Sequence, residues 1–242
     1  MPNWVYNSLT ISGPAEQISA LKQQLNTPFT KTHENWNGET KQMEFKEYKY
    51  TTPVFAFHNI YNHIQDGVSD EVYQSQPDHS KNPLDFSGND WYNWNVRNWG
   101  TKWDVAVMDD EKYPDTELME ENENSLAYRF NTAWSPPTEI IAVLSARYPN
   151  LEMSLSFEEE TGWGGEIEFE EGHPIDVSSY DNKCRDCESI NTLEYCENDC
   201  GEICSDCNYM GEADLDCVAE CDTHKVYLDE DHIPEYRRET SV

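Results

Sequence analysis

All eight cysteines lie beyond residue 183, and they repeat. The first copy reads Cys184-x2-Cys187-x8-Cys196-x3-Cys200, the second Cys204-x2-Cys207-x9-Cys217-x3-Cys221. The wording repeats with the spacing: CRDC against CSDC, then CENDC against CVAEC. A closed tetrahedral zinc site takes four ligands, so two copies of four thiols predict two zinc ions. This constrains folding strongly. The stretch carries few apolar side chains, and a segment that cannot build a core needs its metal to fold. Sequential ligation would close each copy on its own ion, and duplication of a self-contained unit favours it. Interleaved ligation would pair Cys184, Cys187, Cys204 and Cys207 on one ion and Cys196, Cys200, Cys217 and Cys221 on the other. An iron–sulfur cluster is the rival, but the C-x2-C-x2-C-x3-C-P run is absent. Free or redox-active thiols are the third option.

Before residue 184 there is no cysteine, so that part must rest on a hydrophobic core. Val5, Leu9 and Ile11 alternate on a strand, and Ser12-Gly13-Pro14 turns into a helix on which Ile18, Leu21 and Leu25 share a face. Residues 28–97 read as a polar, aromatic-rich insertion, with Val54–Phe57 as a short strand and 59–65 as a short helix. A strand is expected over 102–108, followed by an acidic loop. Leu126, Tyr128 and Phe130 alternate on the next strand. Ser135-Pro136-Pro137 opens a helix with Ser135 as cap, carrying Ile141, Leu144 and Tyr148. Leu151, Met153, Leu155 and Phe157 alternate on a further strand. Gly162–Gly165 turns into a last strand with Ile167 and Phe169. This order predicts an α+β fold: a ferredoxin-like split βαβ domain with an insertion after the first helix. The expected domains are 1–172, holding the insertion at about 28–97, and an acidic Cys-rich zinc module over 173–242.

Charge narrows the partners. Forty-eight acids against sixteen bases give −32 at pH 7. Such a chain gains nothing from counterion release on nucleic acid and is repelled by anionic membrane. The sheet face away from the helices should carry Glu152, Ser154, Ser156, Glu158, Glu166, Glu168 and Glu170, which repels the RNA that exposed aromatics on such a sheet can bind. No apolar run reaches the roughly 20 residues of a membrane span. The start, Met1-Pro2-Asn3-Trp4, has neither the basic nor the apolar region of a signal peptide. The expected location is the cytoplasm, where cysteines serve as metal ligands more often than as disulfides.

Three segments stand out as wording: Met1-Pro2-Asn3-Trp4, Asn98-Trp99-Gly100-Thr101-Lys102-Trp103-Asp104 and Phe130-Asn131-Thr132-Ala133-Trp134-Ser135-Pro136-Pro137. In this order they resemble the YubB/Api92-like family of bacteriophage and plasmid proteins with a ferredoxin-like domain. The resemblance covers residues 1–172 and leaves out the Cys-rich tail. Val5 stands where many relatives carry Cys. The resemblance implies a mobile-element protein acting in a bacterial host, and no mechanism.

No nucleophile elbow, phosphate loop or zincin motif is present. Trp99, Lys102, Trp103, Asp104 and Trp134 form a candidate binding patch. The competing reading has the Trp rings sealing the edge of the core and Lys102 paired with Asp104. The expected function is therefore non-enzymatic: an accessory protein that contacts a host protein, with DNA mimicry against a defence nuclease as its sharper form. The alternative is an enzyme with its site between the insertion and the Trp99–Asp104 loop.

Overall fold

The computed structural model describes residues 2–78, 80, 82, 84–109, 115–183, 189–190, 193–195 and 202–204. Two compact units divide the chain. One is Met1–Glu160 with Gly164–Ser179; the other takes in Thr161–Trp163 and the chain from Tyr180 onward.

In the first unit, β1 (Trp4–Ser12) buries Val5, Asn7, Leu9 and Ile11 and exposes the residues between them. Gly13 turns the chain where an added Cβ would lie 2.9 Å from the Asn150 carbonyl oxygen, and α1 (Ala15–Leu25) follows. It buries Ile18, Leu21 and Leu25, each contributing about 1.5–3 kcal/mol. The insertion then forms a hairpin, β2 (Phe29–Asn37) with β3 (Gln42–Tyr50), and three helices, α2 (Phe57–Ile60), α3 (Asp70–Tyr73) and α4 (Trp91–Trp99). The main sheet resumes with β4 (Glu117–Asn122) and β5 (Ser125–Ala133). After α5 (Thr138–Arg147) come β6 (Glu152–Glu159), β7 (Gly164–Glu170) and β8 (His173–Tyr180).

The sheet order is β4-β5-β1-β6-β7-β8. Its first four strands, with α1 between β1 and β4 and α5 between β5 and β6, are the ferredoxin-like arrangement. The insertion thickens the core on the inner face. Phe55 stacks on Phe130 at 5.0–5.2 Å from the Phe130 and Tyr128 rings, and Phe57 meets Trp99 and Phe130 edge-on or tilted at 5.8–6.0 Å. All five rings are at most 1% exposed.

Several expectations are corrected. The segment 102–108 is not a strand, because its backbone groups are met elsewhere. The Lys102 carbonyl accepts from the Asn95 side chain, and the Val105 carbonyl from the Thr116 hydroxyl. The strand beside β5 is instead β4, whose mostly exposed ELMEEN wording reads as loop. Val54–Phe57 is not a strand either: Phe57 opens α2, which ends at Ile60 rather than Gln65. The insertion is more ordered than its polar composition implies, and it runs on to β4. Ser135 does not cap α5; its hydroxyl donates to the Gly100 carbonyl at 2.5 Å. The sheet also continues past residue 172. Glu171 and Gly172, both at positive φ, form a two-residue turn that brings β8 back beside β7.

In the second unit, β9 (Leu193–Tyr195) pairs antiparallel with β10 (Glu202–Cys204), and Lys183 bridges to Ile190.

Candidate functional site

Four parts of the first unit converge on a cleft of about 450 Å³. The β2–β3 register sets Lys31 opposite Tyr48 and Phe29 opposite Tyr50, so all four share one side of the hairpin. From the helices come Tyr73 of α3 and Trp91, Asn95 and Trp99 of α4. Asp90 caps α4, accepting the Asn93 N–H at 3.1 Å, and Gly100 ends it at φ +80°. Beyond Gly100, the irregular segment 101–109 supplies Trp103, Asp104 and Met108.

Asp104 and Lys31 form the floor, 2.5 Å apart, with side chains only 10% and 13% exposed. Four donors saturate the carboxylate. Oδ1 accepts the Phe57 and Ala106 N–H groups at 2.8 and 3.2 Å; Oδ2 accepts the His58 N–H at 3.2 Å and Lys31 Nζ. Two of those N–H groups open α2, so Asp104 also caps it. Burial alone would raise this carboxyl's pKa. The Lys31 ammonium, His58 and the Phe57 N–H outweigh it and hold the group below the usual carboxylate range. Next door, His58 stacks on Phe29 at 4.4 Å. Burial, helped by the Lys31 charge and opposed by Asp104, lowers its pKa to about 4, so the imidazole is neutral at pH 7. Lys31 Nζ lies 5.2, 5.9 and 5.3 Å from the Phe29, Tyr50 and Trp99 ring centroids.

Lys102 does not pair with Asp104. Its Nζ sits 4.5 and 4.6 Å from the Trp103 and Trp134 centroids and 5.8 and 5.9 Å from those of Trp91 and Tyr92. Partial burial lowers its pKa. Trp134 reaches this position from a left-handed backbone, φ +71°, held by its N–H donating to the Asn3 carbonyl. A second cavity of about 430 Å³ opens here, with Lys102, Trp91, Tyr92, Trp134 and Asp90 among its walls.

The five residues of the expected patch thus separate. Lys102, Trp103 and Trp134 form an ammonium–aromatic cluster, with the Trp103 and Trp134 side 38% and 44% exposed. Trp99 is core at 1% exposure, and Asp104 is tied inward to Lys31. Sequence reasoning missed Lys31, Tyr48, Tyr50, Tyr73 and Trp91. The available signal was the period-two spacing of Phe29 with Lys31 and of Tyr48 with Tyr50, which puts each pair on one strand face.

The outer face of the sheet carries carboxylates as expected. Glu166 pairs across with Ser156, Ser156 with Ser8, Ser8 with Arg129 and Arg129 with Glu117. Glu152, Glu166, Glu168 and Glu170 are exposed on the same face. Across the six strands Arg129 is the sole Arg or Lys, and Glu117 takes it at 2.7 Å.

The cysteine sites are a different matter. Cys184, Cys187, Cys196, Cys200, Cys207, Cys217 and Cys221 lie outside the described residues, and Cys204 is placed by its backbone, opposite Leu193. Among the described residues no group of three or more His, Cys, Asp or Glu side chains is arranged to hold a metal. Nor, among them, is any helix long and apolar enough to cross a membrane.

Residues 112–198 match the family model described as a ferredoxin-like domain in Api92-like proteins. The chain carries an Api92-like ferredoxin-like domain. The match to Api92-like proteins spans β4 to β9 and includes Cys184, Cys187 and Cys196. It therefore starts after the first two of the three segments that suggested the resemblance, and runs on past residue 172. A crystal structure of a protein api92 from Yersinia pseudotuberculosis is similar at 13% identity and a TM-score of 0.41, over 76% of this chain and 100% of that one. No curated protein matches the chain in sequence.

Proposed function

We propose that this Api92-like protein is a non-enzymatic accessory factor of a bacteriophage or related mobile element, acting in the bacterial cytoplasm by contact with a basic surface of a host protein. The observation that carries this reading is the outer sheet face. No helix of the ferredoxin-like pair covers it, its carboxylates stand on neighbouring strands, and its one Arg is already neutralised by Glu117. Side chains two apart on a strand are about 6.6 Å apart and neighbouring strands about 4.8 Å, so Glu166, Glu168 and Glu170 present a regular array. Such an array speeds encounter with a basic partner and repels nucleic acid. In its sharper form the partner is a nuclease whose DNA-binding surface the carboxylates occupy.

The tail belongs to the same proposal. Two zinc ions, held by Cys184, Cys187, Cys196, Cys200, Cys204, Cys207, Cys217 and Cys221, would order an acidic module that adds contact surface. Elemental analysis of protein purified without chelator tests this part: about two zinc ions per chain are expected, and fewer than about one, with freely titrating thiols, rejects it.

For the sheet face, the experiment is an affinity pull-down from host cells run in parallel with the wild type and with E166Q/E168Q/E170Q. A partner retained by the wild type, released by salt and lost by the triple variant supports the proposal. A partner held equally by both chains rejects the sheet face. Tight DNA or RNA binding in a gel shift at physiological salt rejects the charge argument as a whole.

The enzyme reading has one observation in its favour, the cleft between the insertion and the Trp99–Asp104 segment. Its polar floor is an ion pair whose carboxylate is saturated by four donors, which leaves that carboxylate little room to act as a base.

A further inference from the structure

The aromatic cleft is a second feature, separate from the acidic sheet face. Tyr48, Tyr50, Tyr73, Trp91, Trp99 and Trp103 wall it, and its volume of about 450 Å³ falls in the range of small-molecule sites. Trp103 is exposed and Tyr48 and Trp91 are half-buried, while Tyr50, Tyr73 and Trp99 close the inner end.

The polar groups of the wall are mostly engaged. Asp104 already accepts four hydrogen bonds. Asn95 Oδ1 accepts the Tyr73 hydroxyl at 2.7 Å, and the Asn95 amide donates to the Lys102 carbonyl at 2.8 Å. Lys31 is what stays open at the floor. Its ammonium gives one N–H to Asp104 at 2.5 Å and has only ring faces around the others among the described residues. At the rim, the Gln74 and Gln76 side-chain amides form no hydrogen bond among the described residues.

These facts select a ligand by exclusion. An anion would meet the Asp104 carboxylate beside the ammonium that attracts it, in a chain of net charge −32. A cation would need the ring faces, and ammoniums already lie over them: Lys31 over Tyr50 and Trp99, Lys102 over Trp91 and Trp103. A sugar needs a partner for each hydroxyl it buries, and the wall offers few. A flat ring needs none for its faces, because indole and phenol rings stack on it. One carbonyl on that ring takes a Lys31 N–H in a charge-assisted bond. Each Gln amide offers both a donor and an acceptor to the ring's edge.

We propose that the cleft binds an uncharged, flat heteroaromatic molecule with a ring carbonyl, its ring stacked on Trp103 and Trp91 and its carbonyl accepting from Lys31.

The test uses the full chain at pH 7 and a fixed panel. Thymine, hypoxanthine and caffeine are the neutral rings with carbonyls. Indole is the neutral ring without an acceptor, benzoate and phenyltrimethylammonium are the charged rings, and methyl glucoside is the sugar. Binding is read by saturation-transfer NMR and by calorimetry. At least one of the three carbonyl rings is expected to bind, and indole to bind about ten-fold more weakly, the scale of one charge-assisted hydrogen bond. Trp103→Ala should weaken the best ligand about ten-fold or more, the scale of one lost aromatic stack. Gln76→Ala, at an exposed wall position, should weaken it without disturbing the fold, and so serves if the Trp variant unfolds. No binding by any carbonyl ring at millimolar concentration overturns the proposal. So does binding as tight by indole, by either charged ring or by methyl glucoside, and so does equal binding by a folded wild type and both variants. None of these results bears on partner capture by the sheet face, which E166Q/E168Q/E170Q tests independently.

Discussion

Replacing Asp104 by Asn should destabilise the first unit far more than loss of a surface charge would. In the native chain one carboxylate accepts four hydrogen bonds, two on each oxygen, from Phe57, Ala106, His58 and Lys31. An amide keeps one acceptor oxygen and turns the other into a donor. If the NH2 takes the Oδ1 position, the Phe57 and Ala106 N–H groups lose their acceptor. If it takes the Oδ2 position, it faces the Lys31 ammonium donor to donor. In both orientations Lys31, 13% exposed, keeps its charge without a counterion. Breaking one side of a buried pair in this way costs about 3–5 kcal/mol, a large share of the roughly 5–15 kcal/mol that holds a domain together. Urea unfolding followed by tryptophan fluorescence measures it, with Lys31→Met/Asp104→Asn as the companion. The double variant removes both charges while keeping one amide acceptor for the backbone N–H groups, and should lose less than Asp104→Asn alone. The pH dependence has a definite sign. A carboxyl whose folded pKa is depressed contributes its stability above its unfolded pKa of about 3.9 and loses it as pH falls through the folded value. The gap between wild type and Asp104→Asn should therefore narrow in strong acid. A loss under about 1 kcal/mol at pH 7, the scale of exposed ion pairs, would refute the reasoning.

Other outcomes follow from single positions. His58 titrates at about 4 in the folded chain and at about 6.5 unfolded; the unfolded chain therefore takes the proton first as pH falls, and about 2 kcal/mol of stability should vanish between pH 7 and pH 5. His58→Phe, which keeps the stack on Phe29, should lack that part of the slope, and identical slopes by urea titration would count against a buried neutral imidazole. Gly100→Ala should cost about 1–2 kcal/mol because φ +80° is left-handed, most of it surviving even if the Glu139 carboxylate swings away from the new methyl; a midpoint shift near zero in thermal unfolding would contradict this. A chain ended after Tyr180, which keeps all six strands of the main sheet, should give a cooperative unfolding transition by circular dichroism, and a noncooperative one would show that the tail is needed for the sheet.

The ferredoxin-like frame was legible because its signal is local. Leu9 with Ile11, Leu126 with Tyr128 and Phe130, and Met153 with Leu155 and Phe157 mark one buried face at period two, and Ile18, Leu21 and Leu25 mark one helical stripe. Each pattern needs only one water-excluding side. The Glu166–Glu168–Glu170 series was legible for the same reason, from the opposite face. β4 was not, because an edge strand with Leu118 among exposed acids carries no such contrast. Segment 102–108 misled in the other direction: its apolar Val105, Ala106 and Val107 look like a strand, yet ladder partners are not a property of the segment itself. The cysteine pattern is the most specific wording in the chain, and its chemistry is decided by metal and thiols rather than by a core.

By itself, then, the sequence determined β1, β5, β6 and β7 with the two helices α1 and α5, the acidity of the sheet's outer face and the candidate ligand set of the tail, all properties of residues close together in the chain. Tertiary structure alone decided where the charges of the insertion go. Lys102 and Asp104 are two residues apart and look like partners, but Asp104 takes Lys31, which is 73 positions away in sequence, and Lys102 is left among four rings. That choice depends on the β2–β3 register and on the helix ends that bring Trp91, Trp99 and the Phe57 N–H to the same place. Long-range hydrogen bonds and ring contacts of this kind leave no periodic trace in a chain, because each partner is set by the path of the backbone between them.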